Sequence, residues 1–136
     1  MDVPELNALD HSNAAAVFAA CCGAAVWVDR MVAARPFHDT TEILMIAEET
    51  WWDLGADDWH EAFAAHGEGP GSPAFPEYEE TFGYPYLVSA TDRSAEELDA
   101  LFRRRLGNDP LSELSVTATE QARITNLGLR RILGLV

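Results

Sequence analysis

The chain has little basic charge and few cysteines. Its 136 residues include only 9 basic side chains against 23 acidic ones, for a net charge of −14. Such an excess repels the phosphates of nucleic acids and the headgroups of anionic membranes, so we expect neither as a partner. The two cysteines, Cys21 and Cys22, are neighbours. Adjacent cysteines rarely bridge each other, so we expect buried free thiols and no disulfide framework.

Long hydrophobic runs are also absent. The longest uncharged apolar stretch, residues 14–28, contains Gly23 and is shorter than the ~20 residues that span a bilayer. The first acidic residues are Asp2 and Glu5, where a signal peptide has basic ones. We therefore expect a cytoplasmic protein with no membrane partner. Hydrophobic residues make up 48% of the chain, enough for the core of one domain over residues 1–136.

Motifs for metals and nucleotides are missing. The chain has no Cys-x-x-Cys and no His-Glu-x-x-His, and His60 and His66 are too far apart in sequence to form an i, i+4 pair on one helical face. It also lacks a Gly-x-Gly-x-x-Gly after a strand, a phosphate loop and a Gly-x-Ser-x-Gly elbow. We expect no metal and no organic cofactor.

Helical patterns dominate the sequence and predict an all-α bundle of short and medium helices. Asp39, Ser94 and Asp109 are candidate N-caps, as is Ser12. Residues 67–76, rich in glycine and proline, form a loop. Residues 84–90 have a strand-like composition but no partner strand, so we expect an extended connector. The predicted helices cover about residues 12–22, 24–34, 40–54, 58–66, 77–82, 94–106 and 110–133.

Few side chains are candidates for chemistry. His66 ends a short helix just before the glycine-rich loop, where a histidine can reach a ligand and move a proton near neutral pH. The alternative is a surface residue or a partner of the helix dipole. We interpret the arginine run 103–105 as dipole partners, the glutamates at 77, 79 and 80 as a solvated face, and the tryptophans at 27, 51, 52 and 59 as core.

A series of phrases, spread in order over nearly the whole chain, resembles one family, the 2-oxo-4-hydroxy-4-carboxy-5-ureidoimidazoline (OHCU) decarboxylases of purine breakdown. These phrases are Leu6-Asn7-Ala8-Leu9, Cys21-Cys22-Gly23 with Trp27, Arg35-Pro36-Phe37, Asp58-Trp59 with Glu61-Ala62-Phe63-Ala64-Ala65-His66, Phe82-Gly83-Tyr84-Pro85-Tyr86, Arg93-Ser94-Ala95-Glu96-Glu97 and Arg105-Leu106-Gly107-Asn108-Asp109-Pro110.

The resemblance implies an all-helical homodimer that needs no cofactor and acts on a small-molecule substrate. The implied reaction removes CO2 from OHCU to give (S)-allantoin in urate catabolism. His66 matches the histidine that handles the proton, and Gly67 follows it at the substrate. The backbone segment that holds the ureido ring corresponds to Tyr86, Leu87, Val88, Ser89 and Ala90.

The chain departs from the family pattern at three places. Gly67 stands where a proline normally follows the histidine, and the Ser-x-x-Glu-Gln motif with its catalytic glutamate is absent before Phe82. The family's Leu-Arg-Leu phrase corresponds to Leu127-Gly128-Leu129, so its arginine is a glycine. Glu68 is the candidate replacement for the glutamate, and Arg93 or Arg130 for the arginine.

Three functions are therefore open. The chain is an OHCU decarboxylase with a trimmed site, a relative that acts on another small heterocyclic or carboxylated metabolite in specialised metabolism, or a non-catalytic acidic binding protein. The first two predict a pocket between the His66 loop and residues 86–90. The third predicts that this site is filled or flattened, or that a large apolar patch lies elsewhere.

Overall fold

The computed structural model of the protein describes residues 1–66 and 75–136, and over these ranges it has eight helices and no strand. The prediction of an all-α fold is confirmed. Gly67 and Glu68 lie outside the described residues. Within the described ranges, no helix combines the length and the apolar character needed to cross a membrane. The helices are α1 (Val3–Ala8), α2 (His11–Ala19), α3 (Ala25–Ala33), α4 (Thr40–Trp52), α5 (Ala56–His66), α6 (Pro76–Phe82), α7 (Ala95–Leu106) and α8 (Pro110–Ile132).

Short polar side chains start most of these helices. Asp39, Ser94 and Asp109 each accept a hydrogen bond from an amide three residues on, as predicted. The predicted Ser12 cap is wrong, because the Asp10 carboxylate accepts from the Asn13 amide instead. That helix, α2, also ends at Ala19, short of the predicted residue 22. Helix α1 was not predicted, although Asp2 caps it just before a proline.

Helix α3 is capped from a distant part of the chain. Its N-cap residue, Ala24, has no side chain that can accept a hydrogen bond. The carboxylate of Glu61, in the middle of α5, accepts from the Ala25 amide at 2.9 Å instead. The sequence predicted this helix from about residue 58, whereas α5 begins at Ala56, and Glu61 joins α5 to the start of α3.

Tryptophans fix the central helices to one another. The Trp27 indole donates to the Ala47 carbonyl at 3.1 Å, and the buried Trp51 indole donates to the Ala118 carbonyl of α8 at 3.0 Å. Trp59 is half-buried. The predicted core role fails only for Trp52, which is 40% exposed.

Both cysteines are buried and free, as predicted. Burial raises the pKa of each thiol to about 11, so both are protonated and unreactive near neutral pH.

The connector, residues 84–90, has neither helix nor strand structure, as the sequence predicted. It begins after Gly83, which ends α6 in the left-handed conformation with φ 84°. From there the chain passes beside α8 before α7 begins. The fold thus brings the end of α5 and the connector to the same helix, α8, and the candidate site lies along it.

Candidate functional site

A close contact between α5 and the turn after α2 sets the position of His66. A Cβ atom on Gly23 would lie 2.5 Å from the Cβ of Ala65, closer than two side chains can approach. Only glycine therefore allows the last turn of α5 to pack here. His66 is the final residue of that turn and is half-buried.

Burial keeps the His66 imidazole mainly neutral at pH 7. It lowers the pKa of the ring from its ordinary value, and the Gln121 side chain opposes this shift. The direction of the opposing effect fits an amide oxygen that accepts from the imidazolium. Gln121 is fully buried, and its oxygen has no well-formed hydrogen bond within the described residues. Its nitrogen donates to Thr125 Oγ1 at 2.8 Å and to the Cys21 carbonyl at 3.4 Å.

A buried ion pair holds the middle of the connector. The Arg105 guanidinium is 1% exposed; its Nη2 lies 2.8 Å from Glu113 Oε2, and its Nη1 donates to the Leu87 carbonyl at 2.7 Å. The same guanidinium lies 4.5 Å from the centre of the Tyr86 ring, a cation–π contact. The interpretation of this arginine as a partner of the helix dipole is wrong, because its side chain turns inward to the connector.

Glu113 is the centre of a small buried polar group. The Tyr78 hydroxyl donates to its carboxylate, and Thr117 also contacts it. Burial, together with the hydrogen bond to Glu113, raises the pKa of Tyr78 far above its ordinary value. Tyr78 therefore stays protonated and remains a hydrogen-bond donor at any pH at which the protein is folded.

A second ion pair holds Ser89. The Ser89 amide donates to Glu120 Oε1 at 3.0 Å, and Arg93 donates to the Ser89 carbonyl at 2.9 Å. Arg93 also forms an ion pair with Glu120. Burial acts to raise the pKa of Glu120, but Arg93 and the Ser89 amide outweigh it, and the net shift is downward. Arg93, a candidate for the missing arginine, is thus bound to the connector.

A cavity of about 270 Å³ lies between the connector, the end of α2 and α8. Val88, Ser89 and Ala90 line it, whereas Tyr86 and Leu87 pack behind it against Arg105. His66 is not in its wall; Gln121 connects the two, since it interacts with His66 and donates to the carbonyl of Cys21. The cavity is lined by Ala20, Cys21, Val88, Ser89, Ala90, Thr91, Ile124, Leu127, Gly128 and Arg131.

Two backbone amides of the connector have no acceptor within the described ranges. The Ser89 amide is turned to Glu120, while those of Val88 and Ala90 donate to no acceptor within the described ranges. Neighbouring amides in an extended chain point to opposite sides, so these two face away from Glu120. They are the groups that can hold the carbonyl oxygens of a small ring.

Glycine at position 128 gives the cavity its depth. A Cβ atom there would lie 3.2 Å from Cys21 Sγ, so α8 and the end of α2 are as close as backbone and thiol allow. Arg130, the other candidate for the missing arginine, is absent from the cavity wall, and Arg131 is present.

A second, larger cavity of about 520 Å³ lies beyond Ser89, Thr91 and Leu127, which it shares with the first. Arg93 and Arg123 line it, and both are paired with Glu120. Across residues 1–66 and 75–136, no three histidine, cysteine, aspartate or glutamate side chains are grouped closely enough to hold a metal ion.

Sequence reasoning missed the polar residues that organise the site. Buried polar side chains recur along α8 at helical spacing: Glu113, Thr117, Glu120, Gln121 and Thr125. This spacing was the available signal, because a polar stripe on a helix packed into a core indicates a buried network.

Comparisons with known proteins agree on one family. The chain matches the family model described as OHCU decarboxylase over residues 7–68 and 74–130. It is 25% identical over 146 residues to the uric acid degradation bifunctional protein TTL of Arabidopsis thaliana, covering 82% of this chain and 45% of that protein. The chain therefore spans less than half the length of this relative.

Two solved structures share the fold. A crystal structure of an OHCU decarboxylase in the presence of (S)-allantoin superposes with a TM-score of 0.74 at 25% identity, covering 86% of this chain and 96% of that one. A crystal structure of an (S)-allantoin synthase also gives a TM-score of 0.74, at 14% identity, covering 96% of this chain and 54% of the other.

Proposed function

This chain belongs to the OHCU decarboxylase family, and from that premise we propose that it removes CO2 from OHCU to give (S)-allantoin. The observation that carries the proposal is a small cavity lined by the connector, on the family's fold, whose wall is linked to the neutral His66 through Gln121. The homodimer that the resemblance implies and the cytoplasmic location that the sequence composition predicts stay predictions.

The reaction needs no external electron sink. The bond between C4 and the carboxyl group breaks, CO2 leaves, and the electron pair moves into the neighbouring C=N bond of the ring, whose nitrogen takes a proton. The resulting enol becomes a ketone when its hydroxyl loses a proton and C5 gains one. The protein must therefore orient the ring and deliver that proton to one face.

His66 is the proposed proton carrier. Because burial keeps it mainly neutral at pH 7, the imidazole can accept the enol proton, and the imidazolium can then deliver a proton to C5. Gln121 favours this transient imidazolium, since its interaction raises the pKa of His66. The amides of Val88 and Ala90 are the proposed donors to the ring oxygens, where negative charge develops.

The test supplies freshly generated OHCU and follows allantoin chirality by circular dichroism. His66→Ala is expected to reduce the rate by about 10²- to 10⁴-fold, the usual contribution of a general acid or base, with an unchanged thermal melt. His60→Ala is the matched control, because that exposed histidine lies on the same helix. An unchanged rate of (S)-allantoin formation in His66→Ala would remove this residue from the mechanism.

A relative that acts on another small carboxylated metabolite is the second proposal. Gly128 favours it, because the family arginine is missing at this position, where a Cβ atom would already lie 3.2 Å from Cys21 Sγ. Lack of OHCU turnover, with binding of other cyclic ureides, would support this alternative. The open cavity disfavours the non-catalytic protein, which predicted a filled site.

A further inference from the structure

The part of the cavity wall that α8 forms includes one positively charged side chain. Helix α8 contributes four residues to the wall: Ile124, Leu127, Gly128 and Arg131. Their spacing of three or four places them on one stripe of the helix. Three of them offer only apolar atoms or backbone, so Arg131 is the one charged side chain in the cavity wall.

Arg131 is available to bind a ligand. Within the described ranges, Arg93, Arg105 and Arg123 each have a carboxylate partner, whereas Arg131 has no carboxylate oxygen within the 4.0 Å that defines an ion pair. Arg35, Arg104 and Arg130 also lack an ion pair within the described residues, but none of them lines the cavity. The charge of Arg131 is not cancelled locally and can act on an anion in the cavity.

Helix geometry directs this side chain over the turn that contains Gly128. The Cα–Cβ bonds of a helix tilt toward its N-terminus, so a long side chain covers the turn before its own Cα. For Arg131 that turn contains Gly128, three residues earlier on the same stripe. Glycine leaves no side chain there to obstruct the guanidinium.

We infer that Arg131 binds the carboxylate of a small carboxylated ligand in this cavity and so selects such ligands over neutral ones. The inference rests on the proposed function for its choice of substrate, OHCU. A guanidinium and a carboxylate form a charge-assisted, often bidentate pair. Arg130, one position along, is directed to another part of the helix surface and does not line the cavity.

The chemistry predicts which kinetic constant depends on Arg131. The carboxylate leaves as neutral CO2, so a pair with it is stronger in the bound substrate than in the transition state. Such an interaction lowers KM without raising kcat. Arg131→Gln is therefore expected to raise the KM for OHCU by about 10- to 100-fold, with a kcat equal to or higher than that of the parent. Arg131→Lys keeps the positive charge but not the bidentate geometry of the guanidinium, so its KM should lie between those of the parent and of Arg131→Gln.

A binding experiment separates this inference from the proposed function. Hydantoin-5-acetate and its primary amide, measured by calorimetry, differ in the carboxylate. The parent protein is expected to prefer the acid, and Arg131→Gln to lose that preference. Arg104→Gln, which removes an exposed arginine outside the cavity wall, should keep it.

The outcomes are distinct. Loss of the acid preference in Arg131→Gln, in a parent that does not turn over OHCU, would support Arg131 and overturn the proposed function. An unchanged KM and an unchanged acid preference in Arg131→Gln, in a parent that makes (S)-allantoin, would overturn Arg131 alone. The inference for Arg131 would also be overturned if the parent had no preference for the acid. The same holds if the acid preference were lost in Arg130→Gln instead of Arg131→Gln. Thermal melts confirm that each variant is folded.

Discussion

The two segments of the candidate site, the connector on one side and the end of α5 on the other, are held by different forces. The connector is fixed by two buried ion pairs, Arg105–Glu113 and Arg93–Glu120, which bind Leu87 and Ser89. The end of α5 is fixed by close packing on Gly23. On the first side the charges cancel in pairs and bind the backbone. On the second side burial lowers the pKa of His66 and keeps it mainly neutral at pH 7. The rigidity of the connector and the proton affinity of His66 are thus set by separate parts of the structure.

The largest expected effect is the loss of the Glu113 carboxylate. Glu113→Ala leaves the Arg105 charge buried without its partner, which typically costs about 3–5 kcal/mol of unfolding free energy. It also frees the guanidinium that holds the Leu87 carbonyl. Urea unfolding followed by circular dichroism measures the loss.

Asp99→Ala is the matched control for this variant. It breaks the exposed i, i+4 pair with Arg103 and should cost less than about 1 kcal/mol. Equal losses in the two variants would show that the buried pair does not stabilise the connector side.

A steric overlap is expected to disrupt the packing that positions His66. In Gly23→Ala the new methyl group must displace Ala65, because its carbon would lie 2.5 Å from the Cβ atom of Ala65. We expect a loss of about 1–3 kcal/mol, together with a lower kcat, because His66 is the next residue.

Gly55→Ala tests whether the effect of Gly23→Ala is specific to this contact. A Cβ atom on Gly55 meets nothing within 4 Å, so the change should be neutral or slightly stabilising. If Gly23→Ala keeps both stability and kcat, packing at this contact does not position the histidine.

The smallest expected effect is a shift in the pH dependence of kcat/KM. Because burial lowers the pKa of His66 from 6.5, the acid limb of kcat/KM should have its midpoint below pH 6.5. Gln121→Met removes the opposing interaction and should move the midpoint to still lower pH. Rates measured between pH 4.5 and 8 test both; a midpoint above 6.5 would contradict them.

The lowered pKa of His66 also makes the free energy of unfolding depend on pH. The unfolded chain binds a proton at His66 more readily than the folded chain, so the contribution of His66 to stability falls as the pH drops below about 6.5. His66→Gln should remove that part of the slope in unfolding measurements between pH 5 and 7.

The sequence predicted local structure well and the buried polar network poorly. The caps at Asp39, Ser94 and Asp109 depend on residues three apart, so a linear reading finds them. Arg105 and Glu61 follow local helix rules equally well, yet each acts on a distant segment. Their roles depend on which helices meet, and one sequence does not contain that information.

The candidate site shows the same division. The connector was recognised from short phrases, and its residues 88–90 line the cavity. The pocket was predicted between the His66 loop and residues 86–90, whereas His66 is not in the cavity wall, and its role stays a prediction. The cation in its wall was assigned to Arg93 or Arg130, whereas the wall holds Arg131. Adjacent helical positions point about 100° apart, so a one-residue ambiguity decides which surface a side chain reaches.

The bond between the Trp51 indole and the Ala118 carbonyl gives the protein an intrinsic optical reporter. Ala118 lies on α8 between Glu113 and Glu120, the two carboxylates whose ion pairs hold the connector. Any ligand that displaces α8 changes the environment of this indole. A shift in tryptophan emission on titration would therefore register occupancy of the cavity without a label, even for compounds that the protein does not convert.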